Sequence, residues 1–301
     1  MPEVIKIDDN SIGLRIDKWI KIHLIKIPQS LIEKDLRQGK IKVNNKKIKS
    51  SYKLKQSDKI YLYNFSYKDF IKTKIKFIPK KKTIKDTEDN IIENNSNFIV
   101  INKKSGLPVQ GGTKVKENII DIFTNHHYFE KTRPYIVHRI DKDTSGVLII
   151  AKNRETAQLL TSLFRIRKIY KTYLAISFGQ LDKKRNIIDN NLIRYEGNKK
   201  IIERAITHFN QIDSSANYTL FKLKPITGRK HQIRKHLIDL NCPIVGDQKY
   251  FIKKPKKNTQ LLLHAYEIKF MLNNKKYTFR ADLPDYFTNF LIKNNLKQKD
   301  F

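Results

Sequence analysis

The 301-residue chain has a single cysteine, a single tryptophan and two methionines. Cys242 alone cannot close an intramolecular disulfide, which excludes a disulfide scaffold. The eight histidines form no HExxH pattern and no CxxC pair exists, so a structural zinc site is not expected. No glycine-rich nucleotide fingerprint points to a cofactor either. The longest clean apolar runs, such as Val147 to Ala151, fall far short of the roughly 18 residues a membrane helix needs. Met1 to Asn10 mixes Glu3, Lys6, Asp8 and Asp9 and so lacks the apolar stretch of a secretory signal. A cytoplasmic protein without a membrane partner is the expectation.

Acid is scarce as well: 29 Asp and Glu stand against 62 Lys and Arg, a net charge of +33. Such an excess suits a polyanionic partner. The base is 49 Lys and only 13 Arg, beside abundant Ile and Asn, the residues an AT-rich genome inflates. Part of the lysine excess is therefore compositional drift, and the scarce arginines carry more information. With 39% hydrophobic and 10% aromatic residues the chain can build a core, and its length suits two domains of roughly 100 to 200 residues.

Leu14 to Leu62 reads as a small unit. Ile16, Trp19, Ile20 and Leu24 fall at helical spacing, with Arg15, Lys18 and Lys21 on other faces. Pro28 breaks that pattern, and Ser30 followed by Glu33 has the spacing of a capping box. A second helix carrying Leu31, Ile32 and Leu36 is expected to end at Gly39, followed by strands at Ile41 to Val43 and Ile60 to Leu62 with a turn at Asn44-Asn45. Lys34, Arg37, Lys40 and Lys42 line the second helix and its exit, a surface suited to RNA. The runs Leu14 to Trp19 and Arg37 to Asn44 resemble an S4 domain, a small RNA-binding module, over residues 1–64. Residues 65–90, with Pro79 and Lys80-Lys81-Lys82, have the composition of a charged linker.

A second domain is expected over residues 91–301. Phe98 to Asn102, Ile136-Val137, Val147 to Ala151, Tyr173 to Ile176, Tyr218 to Leu223 and Leu261 to Leu263 read as strands. Arg154 to Phe164 and His231 to Leu240 read as helices. No regular βαβ alternation links them, so the expected fold class is α+β with a mixed, largely antiparallel sheet.

Three segments carry chemistry. Val137 to Lys152 places His138, Arg139, Asp141, Asp143, Thr144, Ser145 and Gly146 in a polar loop between two apolar strands; the same residues also compose an ordinary turn. Thr227 to Leu237 sets a Thr-Gly before a basic helix with Arg229, Lys230 and Arg234, a natural site for phosphate, with a solvated helix face as the alternative. Lys168 to Ala175 puts Tyr173 in a strand, where it serves a site or a core. The pair His126-His127 and His23 have no partner spacing and read as surface or packing residues.

In chain order, five elements resemble the motifs of the RluA family of pseudouridine synthases, and within it the RluC-like members with an N-terminal S4 domain. They are Asn102-Lys103 with Gly106-Leu107 and Val109 to Gly112, His138-Arg139-Ile140-Asp141 with Thr144-Ser145-Gly146, Lys171 to Ala175, Thr227 to Arg234, and Gly246-Asp247 with Leu263-His264-Ala265. Lys104, Asn241-Cys242 and Phe251 depart from the usual pattern outside the proposed catalytic set. The resemblance implies a pseudouridine synthase catalytic domain preceded by a small α/β S4 domain, acting without metal or cofactor. The reaction would isomerise uridines of large-subunit (23S) ribosomal RNA or its precursor, and the enzyme would act as a monomer.

It also implies roles. Asp141 acts at C1′ as nucleophile, or as the base that removes the C2′ proton. Arg234 pairs with Asp141, Tyr173 stacks on uracil and could accept the C5 proton, and Arg139 fills the stack vacated by a flipped base. Arg15, Lys18, Lys34, Arg37 and Lys40 in the first domain, and Lys103, Arg229 and Lys230 in the second, are the expected RNA contacts. A non-catalytic RNA-binding or ribosome-assembly protein, and a glycosidase or nuclease, are the alternatives. A glycosidase would release free base and a nuclease would cleave strands, whereas an isomerase conserves RNA mass.

Overall fold

The structure is a computed structural model that describes residues 2–24, 27–63, 79, 81–111, 117–124, 126–129, 133–181, 186–196, 199–251 and 259–297. Gly112 and Lys80 lie outside them. The chain divides into two compact units, Met1–Lys76 and Phe77–Phe301. Among the described residues no helix is long and apolar enough to cross a membrane.

In the first unit, helices α1 (Ile16–His23) and α2 (Gln29–Gln38) pack on an antiparallel sheet of β1 (Glu3–Lys6), β3 (Lys59–Leu62) and β2 (Ile41–Val43), in that order. The helical spacing read from the sequence points Ile16, Trp19, Ile20, Ile32 and Leu36 into one core with Ile41, Val43, Leu54, Ile60 and Leu62. The Trp19 indole N–H donates to Ser11 Oγ at 2.9 Å, so burying the ring leaves no unpaired donor. Gly39 closes α2 in the left-handed conformation (φ 76°). Asn44 and Asn45 also have positive φ, as a tight turn between β2 and the next segment demands.

The expected capping box does not form. Pro28, whose ring presets φ, occupies the N-cap, which moves Ser30 inside the first turn and out of capping position. Gln29 does the joining instead: its amide donates to Asp17 and Glu33, and its carbonyl accepts from Lys21.

In the second unit, helix α3 (Lys81–Glu88) stands inside the segment read as irregular linker. Its lysines hid a short helix, tied down where Glu88 meets the buried His126 at 2.8 Å. The remaining helices are α4 (Ile119–Thr124), α5 (Arg154–Arg165), α6 (Gln232–Asp239) and α7 (Asp285–Lys293). They cover a ten-stranded sheet built from β4 (Ile91–Asn94), β5 (Phe98–Lys103), β7 (Ser145–Ala151), β12 (Leu263–Leu272), β8 (Tyr170–Phe178), β11 (Tyr218–Pro225), β10 (Lys199–Ser214) and β9 (Ile187–Glu196), in that spatial order. β13 (Lys275–Arg280) pairs with β12, and β6 (Tyr135–Ile136) with β7.

Among the described residues the ladders are antiparallel except the two-residue contact of β12 with β7, so the sheet is mixed and largely antiparallel, as expected. The run expected as a strand from Leu261 begins two residues later, at Leu263; Leu261 and Leu262 are buried connectors. Strand β7, buried along its whole length, separates two apolar layers. A third layer, with Leu174, Ile176, Phe221, Leu237 and Phe287, lies under α6 and α7.

Candidate active site

The loop between β6 and β7 holds Asp141, and its shape is set by backbone acceptors rather than by its own turn alone. Thr144 N–H donates to Asp141 O at 3.2 Å, Gly106 N–H to Lys142 O at 3.0 Å, and Ser105 Oγ to Asp143 O at 2.7 Å. Lys103 completes the frame. Its ammonium is 1% exposed and donates to the carbonyls of Lys104, Leu107 and Lys142 at 2.9, 2.9 and 3.0 Å. Burial pushes Lys103 down to about 7, against the opposing pull of Asp143 and Asp141. The expected phosphate contact by Lys103 is therefore corrected: its three protons are spent inside the protein.

Behind the loop, Gly146 crosses β12 so closely that a Cβ there would lie 2.2 Å from Ala265 O, and its φ is +109°. Only glycine satisfies both conditions. Next to it, Ser145 and His264 form a buried relay. His264 Nε2 faces Ala281 O at 3.1 Å and therefore donates, which leaves Nδ1 to accept from Ser145 Oγ at 2.9 Å, and Tyr286 OH donates to that oxygen at 3.0 Å. Burial lowers His264 to about 4 and, with Lys171, His138 to about 3, so both rings are neutral. His138 Nε2 accepts from Ile149 N–H at 2.9 Å, fixing the other end of the loop to β7.

Asp141 opens on a cavity of about 620 Å³ also lined by Arg139, Tyr173, Arg229, His231 and Arg234. Its carboxylate lies 3.7 Å from Arg234 Nη1 and 3.8 Å from His231 Nε2. Arg234 does pair with Asp141, but its tighter partner is another carboxylate. Two bonds of 2.7 Å join its guanidinium to Asp247, which is 1% exposed and also accepts from the amides of Lys249 and Tyr250. Burial alone would lower the arginine's pKa, yet the bonds and charge of Asp247 outweigh it and hold the group charged. The same bonds overcome burial at Asp247 and keep its carboxyl below the usual range. Arg234 is thus a fixed cation that points one free edge at Asp141.

Tyr173 enters from β8, and burial followed by the charge of Asp141 raises its phenol. His231 caps α6 in the left-handed region (φ 55°) and meets Tyr250 OH at 2.7 Å. The Thr-Gly turn before it is locked by the buried Gln232, whose carbonyl accepts from Thr227 Oγ1 and the Arg229 amide. Arg229 is engaged by Glu203 at 3.0 Å, so it is less available to RNA than expected, while Arg139 and Lys230 are exposed. In the first unit Lys18, Lys34, Arg37 and Lys40 are exposed, and Arg15 is held by Asp17.

A model of the family described as RNA pseudouridylate synthase matches residues 97–239, and the S4 domain matches residues 14–60. The ribosomal large subunit pseudouridine synthase C of Buchnera aphidicola subsp. Baizongia pistaciae is 34% identical over 96% of both chains. The chain belongs to the RNA pseudouridylate synthases. The synthase C of Rickettsia felis is also 34% identical, over 95% of this synthase and 99% of its own length. Among solved structures, human RNA pseudouridylate synthase domain containing 4 aligns with a TM-score of 0.64 and 26% identity, over 73% of this synthase and 98% of that chain.

Sequence reasoning brought Asp141, Tyr173, Arg234 and Arg139 to one cavity. It gave no role to His231 or Asp247, although both lie in quoted motif segments. The signal for Asp247 was available: a buried arginine needs a carboxylate, and Gly246-Asp247 is the nearest acid after the helix. As for metals, Glu88, His126 and His127 are the cluster among the described residues whose ligand atoms lie within 4.8 Å of one another. The Tyr128 amide donates to His126 Nδ1, so Nε2 carries the proton given to Glu88, a closed hydrogen-bonded set joining α3 to the chain after α4.

Proposed function

We propose that this synthase isomerises uridines of large-subunit ribosomal RNA in the cytoplasm, with Asp141 acting at the sugar. The observation that carries the reading is the Asp141 carboxylate on the cavity wall, beside a cation that Asp247 prevents from closing fully upon it. A carboxylate oxygen is thereby left for C1′, or for the C2′ proton. The relatives' names, which specify the ribosomal large subunit, support the RNA class.

In this reading a uridine leaves its stack, at a cost on the order of a few kcal/mol, and Arg139, exposed at the cavity, fills the gap. The N1–C1′ bond breaks, the uracil turns while held against Tyr173, and C5 joins C1′ as the C5 proton departs and N1 regains one. A phenol whose pKa is raised stays protonated near neutral pH, which favours Tyr173 as a stacking surface over Tyr173 as the resting base. Lys18, Lys34, Arg37 and Lys40 of the first unit supply affinity for the RNA backbone.

Asp141→Asn is expected to abolish tritium release from RNA labelled at uracil C5 while RNA affinity stays near the parent value. Turnover retained by that variant would refute Asp141 as the reacting group. Release of free uracil by the parent would identify a glycosidase instead.

A further inference from the structure

Strand β8 has two faces, and only one belongs to the active site. Successive side chains on a strand alternate sides, so Tyr173 faces the Asp141 cavity while Tyr170 and Thr172 face away from it. On that far face lies a second cavity of about 540 Å³, within the range that holds a small ligand. Cross-strand register gathers its walls: Tyr170 is opposite Lys269, Thr172 opposite Glu267, His208 opposite Lys224 and Asn210 opposite Lys222. The two cavities share Arg167, Ile169, Lys171, Pro225 and Ile226, so they meet where β8 begins and β11 ends. The shared rim makes one continuous surface from the first cavity to the second.

The chemistry of the second cavity matches such a strand. Arg167, Lys222, Lys224 and Lys269 supply positive charge, and the lining acid, Glu267, is already engaged by Lys269 at 2.9 Å and Arg280 at 2.8 Å. Tyr170 stands 63% exposed among these cations, and Ile226 at the rim is 38% exposed. A large ring left in water beside charged groups gains little from the fold. Arg167 is one of the scarce arginines. It is held at the rim by a left-handed turn (φ 61°) that closes the end of α5, its amide donating to Phe164 O. A flat aromatic surface ringed by phosphate-binding cations is the composition that binds single-stranded nucleic acid without reading its sequence.

We propose that this cavity is a subsite for a nucleotide flanking the flipped uridine, with its base stacked on Tyr170, its phosphate held by Lys222 and Lys224, and the connecting backbone crossing the rim at Arg167. The proposal rests on the first cavity being the uridine site, and it predicts that the enzyme grips an unpaired stretch of RNA rather than a single extruded base.

The full chain tests it as three variants: Tyr170→Ala, Tyr170→Trp, and Lys222→Glu with Lys224→Glu. None of these residues touches Asp141 or its partners. Two measurements are made: tritium release from a 23S ribosomal RNA transcript, and fluorescence-anisotropy affinity for a uridine oligonucleotide of about a dozen residues. Tyr170→Ala and the charge reversal are expected to raise KM and weaken the oligonucleotide affinity by about tenfold, the loss of one base stack or of a phosphate clamp, with kcat unchanged. Tyr170→Trp, which keeps a stacking face, is expected to bind like the parent. The subsite is overturned if Tyr170→Ala binds and turns over within about twofold of the parent, or if Tyr170→Trp is as weak as Tyr170→Ala. Product from Asp141→Asn would sink the first-cavity reading separately, because the oligonucleotide measurement needs no turnover.

Discussion

Removing the carboxylate of Asp247 isolates the contribution of a buried ion pair to the site. Asp247 is 1% exposed, and Arg234's side chain is only 6% exposed. In Asp247→Ala the guanidinium loses two bonds of 2.7 Å, and the amides of Lys249 and Tyr250 lose acceptors at 2.9 and 3.0 Å. Stripping one partner from a buried pair costs about 3–5 kcal/mol, because the remaining charge stays desolvated. For a domain of roughly 200 residues that is a fall in Tm of about 10 °C. Among the described residues the stranded cation is left with Asp141, 3.7 Å away, and closing on it would occupy the oxygen that the proposed reaction uses.

The expected outcome is therefore a double loss, in thermal unfolding and in kcat for tritium release. The acid limb adds a check. The folded carboxyl of Asp247 titrates below its unfolded value of about 3.9, so its stabilisation is complete above that pH and disappears as the pH falls through the folded value. The parent should lose more stability than the variant across that window. A variant within about 1 kcal/mol of the parent in stability, and equal to it in kcat, would refute the assignment of Asp247 as the anchor of Arg234.

Two further outcomes follow from the same geometry. Lys103→Met removes the donor that joins the carbonyls of Lys104, Leu107 and Lys142, at a cost of about 1–3 kcal/mol, and leaves Lys142 O beside Asp141 held by the Gly106 amide alone, so stability and kcat should both fall. Because the folded ammonium titrates near 7 and an unfolded lysine near ~10.4, the unfolded chain binds more protons between those values. The parent should then gain stability with rising pH there and the methionine variant should not, as urea titrations at several pH values would measure. In the first unit, combining Lys34→Glu, Arg37→Glu and Lys40→Glu should weaken RNA binding and flatten the slope of log affinity against log salt by about 2, while kcat at saturation holds. An unchanged slope would remove these side chains from the RNA interface.

The helical faces of α1 and α2 and the buried strand β7 were legible because each has a clean period: 3.6 in the helices, and an unbroken apolar run in a strand covered on both sides. The Asp141 loop was legible from its residue types between two such runs. The long β9–β10 hairpin was not read. In β9 the buried residues are Ile188 and Leu192, four apart with Asn190 between them, a spacing that serves a helix as readily as a strand. Lys103 misled for a different reason. A lysine in a basic chain reads as surface, and only the fold brings three carbonyls around its end. Arg234 was assigned to the nearer chemistry, Asp141, because the partner that dominates it lies 13 residues further on, across a turn that sequence alone does not close.

The position of β12 between β7 and β8 bears on when the enzyme becomes an enzyme. Asp141 precedes β7 and Tyr173 lies in β8, close in the chain, yet no ladder joins those two strands; each pairs with β12, residues Leu263–Leu272. Strands emerge from the ribosome in chain order. A nascent chain that has made Asp141 and Tyr173 still lacks the strip that lies between their strands, and gains it only when Leu263–Leu272 has been made. Ser145, waiting for His264 and Tyr286, is completed in the same late step. The cavity wall that carries Asp141 and Tyr173 is therefore completed only once β12 has followed β7 and β8 out of the ribosome.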